Sequence, residues 1–309
     1  VDRRTAVQLS LAVLGASAGF ALAASSGARA AEEENRVIDQ DVDLGGVRAV
    51  AIRAASGSVR VRPALARRQT QSHPGDGGTA GAPGPGGGAS MHVHAELRAT
   101  REELASVVRV SREGDRVTVI FDEPGRRRSG WFSIFSRTSW TNTTYEILLA
   151  ADVDLSVQTG SGSVTVDAPP RTLHAGTGSG SIAVTDARAA MELRAGSGSI
   201  RVYEPHGTVD AHTGSGSVDV RGAASSLELR TGSGSVSAVL RDDWNGEAVS
   251  METGSGSVRL AVPRGFRGAV HTTTGSGSVT DTAHVIAAVS PVVSLRSSSG
   301  SVRIMTAGG

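Results

Sequence analysis

The phrase TGSGSV, or a close variant, returns at Gly160, Gly178, Gly196, Gly214, Gly232, Gly254 and Gly275, and a degraded copy, SSSGSV, follows at Ser298. The spacing is 18 residues across the first five copies, then 22, 21 and 23. A regular period of about 20 residues constrains the fold more than any local motif. It means one small supersecondary unit stacked on copies of itself.

Aligning the copies on their first glycine shows what each unit contains. Five positions before it stand Leu155, Leu173, Met191, Val209, Leu227, Val249, Val270 and Val293, and three before stand Val157, Ala175, Leu193, Ala211, Leu229, Met251, Thr272 and Leu295. Four positions after come Val164, Ile182, Ile200, Val218, Val236, Val258, Val279 and Val302. Six after come Val166, Val184, Val202, Val220, Ala238, Leu260, Asp281 and Ile304. Alternation of period two on both sides is the pattern of half-buried strands. The apolar offsets are odd before the glycines and even after them, so a corner or bulge must lie between the two strands. GSGS sits there, and glycine tolerates the backbone such a bend needs. The second bend of each unit carries turn residues of its own, such as Ala168-Pro169-Pro170, Glu204-Pro205-His206-Gly207, Asp243-Trp244-Asn245-Gly246 and Pro263-Arg264-Gly265.

These units predict an all-β fold, a single-stranded β-solenoid of about eight to nine coils with GSGSV corners at Gly160, Gly178, Gly196, Gly214, Gly232, Gly254, Gly275 and Gly300. Each strand pairs with its counterpart in the next coil at about 4.8 Å, so eight coils make a rod of about 40 Å. The other readings of a glycine-rich phrase fail on missing parts. A phosphate-binding P-loop needs a lysine and a helix, and a dinucleotide fingerprint needs a third glycine opening a helix. Calcium-binding nonapeptides need an aspartate where this chain has serine.

Composition agrees. Glycine is abundant at 40 residues and aromatics make up only 3% of the 309, which suits short strands and tight turns. With 31 basic and 30 acidic residues the net charge is +1, so no global field favours nucleic acid or an anionic membrane. Every basic residue is arginine, and there is no cysteine. Disulfides, zinc-thiolate sites and cysteine nucleophiles are therefore excluded.

Residues 1–30 read as an export signal: Arg3 and Arg4, an apolar stretch from Ala6 to Ala24, then Ala28-Arg29-Ala30, with cleavage before Ala31. The Sec and twin-arginine routes both stay open. No later segment is apolar enough to span a bilayer as a helix. The expected location is therefore outside the cytoplasm: periplasm, cell surface or extracellular.

Residues 31–150 form an N-terminal β region, continuous with the tandem solenoid of 151–309. An isolated copy, Ser56-Gly57-Ser58-Val59, reads as a first coil. A Gly/Pro-rich stretch from Arg67 to Ser90 follows, read as a flexible loop. Met91 to Ala99 alternates like a strand, and Thr100-Arg101-Glu102-Glu103 opens one short helix to about Val107 as a capping box. A hairpin then turns at Glu113-Gly114-Asp115. An insertion next combines Arg126, Arg127 and Arg128 with Trp131, Phe132, Phe135 and Trp140. It is either a contact surface for a partner or a cap over an open solenoid end.

The order SGSVRVRP, excursion, VTVIF, then serial TGSGSV coils resembles the bacterial family known as DUF4097, from about Val37 to Met305. LAVPRGF (Leu260 to Phe266) is similar to an element common in that family before a coil. The resemblance implies an exported or envelope-associated, adhesin-like β-solenoid with no established catalytic residues.

The search for chemistry finds little. His92-Val93-His94 is the one close histidine pair, and in a strand both rings share a face, but no carboxylate lies nearer along the chain than Glu96. It reads as a solvated strand face, and no metal ligands are assigned. Four positions before the glycine, Glu192, Asp210 and Glu228 form a carboxylate ladder through successive coils, with Arg194, His212 and Arg230 two positions further on. Such a ladder could hold a divalent cation or cleave polysaccharide, but the alternating columns read better as a self-neutralised, solvated face. The expectation is a non-catalytic binding or structural module without cofactors, acting on an unknown protein or glycan of the cell envelope or surface. Terminal coils with exposed strand edges leave end-to-end self-association open. A periplasmic envelope-stress sensor or scaffold is the alternative, and a carbohydrate-active β-helix enzyme a weaker one.

Overall fold

The computed structural model describes residues 34–64, 90–99, 108–121, 143–149, 152–168 and 170–307. Among these the regular elements are strands, in two long sheets, sheet I of 11 strands and sheet II of 12. The signal segment, the capping-box helix, the Arg/aromatic insertion and the Gly/Pro-rich stretch (Ser90 excepted) lie outside the described residues. Both sheets are predominantly parallel, the pattern of a β-solenoid.

The chain enters through β1 (Glu34–Asp43), β2 (Ala49–Ser56), β3 (Ser58–Pro63), β4 (Ser90–Ala99), β5 (Val108–Glu113), β6 (Arg116–Phe121) and β7 (Thr144–Leu149). The predicted hairpin is β5 and β6, antiparallel, with Gly114 at φ 60° in its turn. Each tandem phrase then separates a strand of sheet I from a shorter strand of sheet II. The pairs are β8 (Asp154–Ser161) and β9 (Val164–Val166), β10 (Thr172–Ser179) and β11 (Ile182–Thr185), β12 (Ala190–Ser197) and β13 (Ile200–Tyr203), and β14 (Thr208–Ser215) and β15 (Val218–Gly222). They continue as β16 (Ser226–Ser233) and β17 (Val236–Leu240), β18 (Ala248–Ser255) and β19 (Val258–Val262), β20 (Arg267–Ser276) and β21 (Val279–Asp281), and β22 (Ile286–Ser299) and β23 (Val302–Thr306).

Register between neighbouring repeats is constant through the apolar columns, with one shift between β20 and β22 at Gly268/Ala269 ahead of them, and this keeps each column on one side. Leu173 faces Leu155 on one flank and Met191 on the other, and Ile182 lies between Val164 and Ile200. All of these are buried, and they form one core between the sheets. Burying each Val or Leu side chain contributes about 1.5–3 kcal/mol, which no single repeat can collect without neighbours.

The glycine phrase itself is stacked from repeat to repeat. Gly180 N–H donates to Ser197 O and Ile182 N–H to Ser199 O, both at 3.0 Å. At Gly216 φ is 142°, and an added Cβ would lie 2.2 Å from the Gly198 carbonyl oxygen. Only glycine fits both the backbone and the approach. The threonine before the phrase points inward. Thr177 donates to Gly162 O at 2.9 Å, Thr213 to Gly198 O at 2.8 Å and Thr231 to Gly216 O at 2.9 Å. These buried hydroxyls satisfy carbonyls of the adjoining repeat.

Stacking order departs from chain order at both ends. β8 and β9 lie directly against β2 and β3, while β6 and β7 lie on the far side of them. At the other end β22 and β23 insert between the pair β18–β19 and the pair β20–β21. A serial stack would put β20–β21 in that slot. The apolar columns explain the exchange. The copy at Gly275 carries Thr272 and Asp281 where other copies are apolar, whereas the last copy offers Val293, Leu295, Val302 and Ile304, all buried. The outermost position belongs to the more polar unit, as a terminal repeat requires. At the opposite end the sheets finish in antiparallel strands, β5 on sheet I and β4 followed by β1 on sheet II.

Candidate functional site

The outer face of sheet I carries the predicted charged columns. Glu192, Asp210 and Glu228 are consecutive register partners, and so are Arg194, His212 and Arg230. The structure brings all six together on one face, and it pairs the carboxylates with the two arginines. Arg194 reaches Glu192 at 2.7 Å and Asp210 at 3.6 Å, and Arg230 reaches Glu228 at 2.5 Å and Glu252 at 3.5 Å. His174 extends the column, its Nδ1 3.0 Å from Glu192 Oε2. The Arg194 guanidinium, helped by His174, holds the Glu192 carboxyl below its ordinary range. That direction is opposite to what a general acid for glycoside cleavage needs.

Sheet I also shows where the Arg/aromatic insertion departs. Phe121 ends β6 in register with Ala54, and Thr144 opens β7 in register with Ser58. Between these two register points the chain runs through residues 122–143, whereas the neighbouring pair has only Ala55, Ser56 and Gly57. The rings of Phe121 and Tyr145 stack across the base of that departure, centroids 3.9 Å apart. The residues of the insertion itself, Arg126, Arg127, Arg128, Trp131, Phe132, Phe135 and Trp140, lie outside the described residues.

The histidine pair gains neighbours that spacing along the chain does not reveal. β1 runs antiparallel to β4, with Asp39 opposite His94 and Asp41 opposite His92. Val42, Met91 and Val93 point inward and are buried, so the two aspartates and two histidines share the outer face. His94 Nδ1 lies 2.6 Å from Asp39 Oδ1, His92 Nε2 lies 3.3 Å from the same oxygen, and His92 Nδ1 is 2.8 Å from Asp41 Oδ1. A hydrogen bond from His94 and the charge of both rings hold the Asp39 carboxyl below its ordinary range, against partial desolvation. The signal available in the sequence was D-x-D within DQDVD, whose spacing of two matches H-x-H. What could not be read was that β1 pairs with β4.

Among the described residues, large apolar side chains are exposed mainly at the far end of the stack: Val279, Ile286, Val289 and Val292, with Val289 92% exposed. No helix among the described residues is long and apolar enough to cross a membrane.

Among known proteins, the sequence profile of a family described as Toastrack DUF4097 matches residues 86–305. A search of curated proteins finds no match. Solved structures with a similar course include a candidate lipid-binding protein from Parabacteroides distasonis, 11% identical, covering 88% of this chain and 98% of its own, with a TM-score of 0.46. A candidate adhesin from Parabacteroides merdae is 12% identical, covering 87% of this chain and 96% of its own, with a TM-score of 0.44. A candidate adhesin from Bacteroides fragilis is 10% identical, covering 87% and 97%, with a TM-score of 0.42.

Proposed function

The chain belongs to the Toastrack DUF4097 family, and from that premise we propose that it is an exported, non-catalytic β-solenoid of eight to nine coils, turned at its GSGS corners. In this reading it acts as an adhesin-like binding or structural module of the cell envelope or surface. The observation that carries the reading is the outer face of sheet I. Its carboxylates stand in register over successive repeats, and each of Glu192, Asp210 and Glu228 has an arginine within 3.6 Å. A face neutralised in this way offers a long, rigid, evenly patterned surface to a partner and no poised acid or base.

The Arg/aromatic insertion is the second element of the proposal. Arginine and tryptophan are enriched where binding energy concentrates. The chain leaves the stack for this segment beside the Phe121–Tyr145 ring pair, close to one end of the rod. A protein or glycan of the envelope is the partner proposed, with the export segment of residues 1–30 delivering the chain there. The exposed valines at the opposite end support self-association as an additional contact.

Protease treatment of intact cells, with the chain followed by antibody, tests the reading. Digestion from outside is the expected result and fits adhesion to a surface. Protection until the outer barrier is opened would replace adhesion by a periplasmic scaffold or sensor. Retention in the cytoplasmic fraction would overturn the proposal as a whole.

A further inference from the structure

We propose that Asp39, Asp41, His92 and His94 form a binding site for a divalent first-row cation of the zinc type, which clips the edge strand β1 to β4. Two imidazoles at alternate positions of one strand and two carboxylates at alternate positions of its antiparallel neighbour project from the same face. One ligand atom from each of Asp39, His92 and His94 lies within 4.8 Å of the others. Tetrahedral zinc with bonds of about 2.0–2.2 Å sets its ligand atoms about 3.4 Å apart. The 3.3 Å separation of His92 Nε2 from Asp39 Oδ1 is close to that spacing, and the 2.6 Å separation of His94 Nδ1 has to open for an ion to enter. Rotations of the exposed Asp39 and the half-buried His92 and His94 side chains would open these contacts to an ion. Asp41 supplies a fourth donor, or orients His92 from outside the ion.

The donor chemistry selects the ion. Two nitrogen donors with carboxylate suit zinc and its neighbours in the first row, whereas calcium and magnesium take oxygen. Glu146 on β7 is the register partner of His94, but its carboxylate is held by Arg62 at 2.8 Å. The site is therefore built from β1 and β4 and would tie down the outermost strand of sheet II. Besides the ion, the described contacts that hold that strand are its backbone ladder, the cross-strand histidine–aspartate pairs, the Arg112 hydrogen bond to Asp43 O and the inward Val42. No catalytic role is assigned to the metal.

The test is calorimetric titration of zinc chloride into the full chain, purified without a histidine tag. One ion per chain is expected, with a rise in melting temperature. His94→Ala and Asp39→Asn should each weaken binding by about tenfold or more. His174→Ala, on the other sheet, should leave it unchanged. X-ray absorption of the zinc-loaded wild-type chain, expected to show two imidazole nitrogens, keeps the proposal open to refutation if a variant fails to fold. Absence of binding, undiminished binding by a His92→Ala/His94→Ala chain, or a zinc shell with fewer than two imidazoles would each overturn it.

Discussion

At the scale of single residues, the threonine before most of the glycine phrases is the most informative side chain. Thr159, Thr177, Thr213, Thr231 and Thr253 are all buried, and their hydroxyls reach glycine carbonyls of the adjoining repeat. The copy at Gly196 carries Ala195 in that column, also buried. Ala195→Thr should therefore stabilise the chain by about 0.5–1.5 kcal/mol, by giving the Gly180 carbonyl the partner its equivalents have. Thr213→Val should destabilise it by about 1–3 kcal/mol, since a buried acceptor loses its donor. Denaturant midpoints of the two variants measure both effects. Asp154 gives a pH-dependent counterpart. Its carboxyl is held down to about 2, from an ordinary 3.8, first by Arg171 and then by Thr172, whose hydroxyl lies 2.7 Å away. The folded value lies below the unfolded one. Its contribution is thus present above about pH 4 and is lost as pH falls towards 2. Asp154→Asn should lower stability at pH 7 by less than about 1 kcal/mol, because the pair is half-exposed and screened. The difference from wild type should vanish near pH 2, as melting curves across that range would show.

At the scale of elements, the alternating columns made the strands and the buried face legible from the sequence, since a strand's period leaves its mark residue by residue. The order of the elements in space left fainter marks. Thr272 and Asp281 are polar residues in otherwise apolar columns, and the structure places their strands outermost. The hydroxyls follow the same spatial order: the buried Ser297 donates to Gly256 O and the half-buried Thr274 to Gly300 O, both across the exchanged repeats. The pairing of β1 with β4 was not legible at all. The intervening segment spans residues 44–89, and nothing along the chain says which of several β segments Asp39 and Asp41 will meet. The exchange predicts a specific cross-link. Ser250 is the register partner of Ser294, and His271 lies one strand further out. Neighbouring parallel strands hold their Cα atoms about 4.8 Å apart, within disulfide reach, and two steps are not. In a chain without native cysteine, Ser250→Cys with Ser294→Cys should oxidise readily, and Ser250→Cys with His271→Cys should not. Serial stacking requires the reverse, and mobility on non-reducing gels distinguishes them.

At the scale of the whole molecule, the glycine phrases act together. Each phrase passes hydrogen bonds to the next, so the stack has a continuous backbone ladder at its turns as well as in its sheets. A steric defect inside such a stack is held on both sides, whereas one at its end can relax by displacing the last unit. The second glycines of two repeats are matched for this comparison. Gly216 lies in the interior with φ 142°, and Gly277 lies in the outermost repeat with φ 145°. An added Cβ would come within 2.2 Å of a neighbouring carbonyl oxygen at either position. The most direct measurement of the central claim, that the repeated phrase is architecture and not a ligand loop, is the stability of Gly216→Ala and Gly277→Ala side by side. Stacked repeats predict a loss of at least about 2 kcal/mol at Gly216, from backbone strain and contact together, and a smaller loss at Gly277. Two variants as stable as the wild type would contradict the claim and return the phrase to the ligand-binding loops.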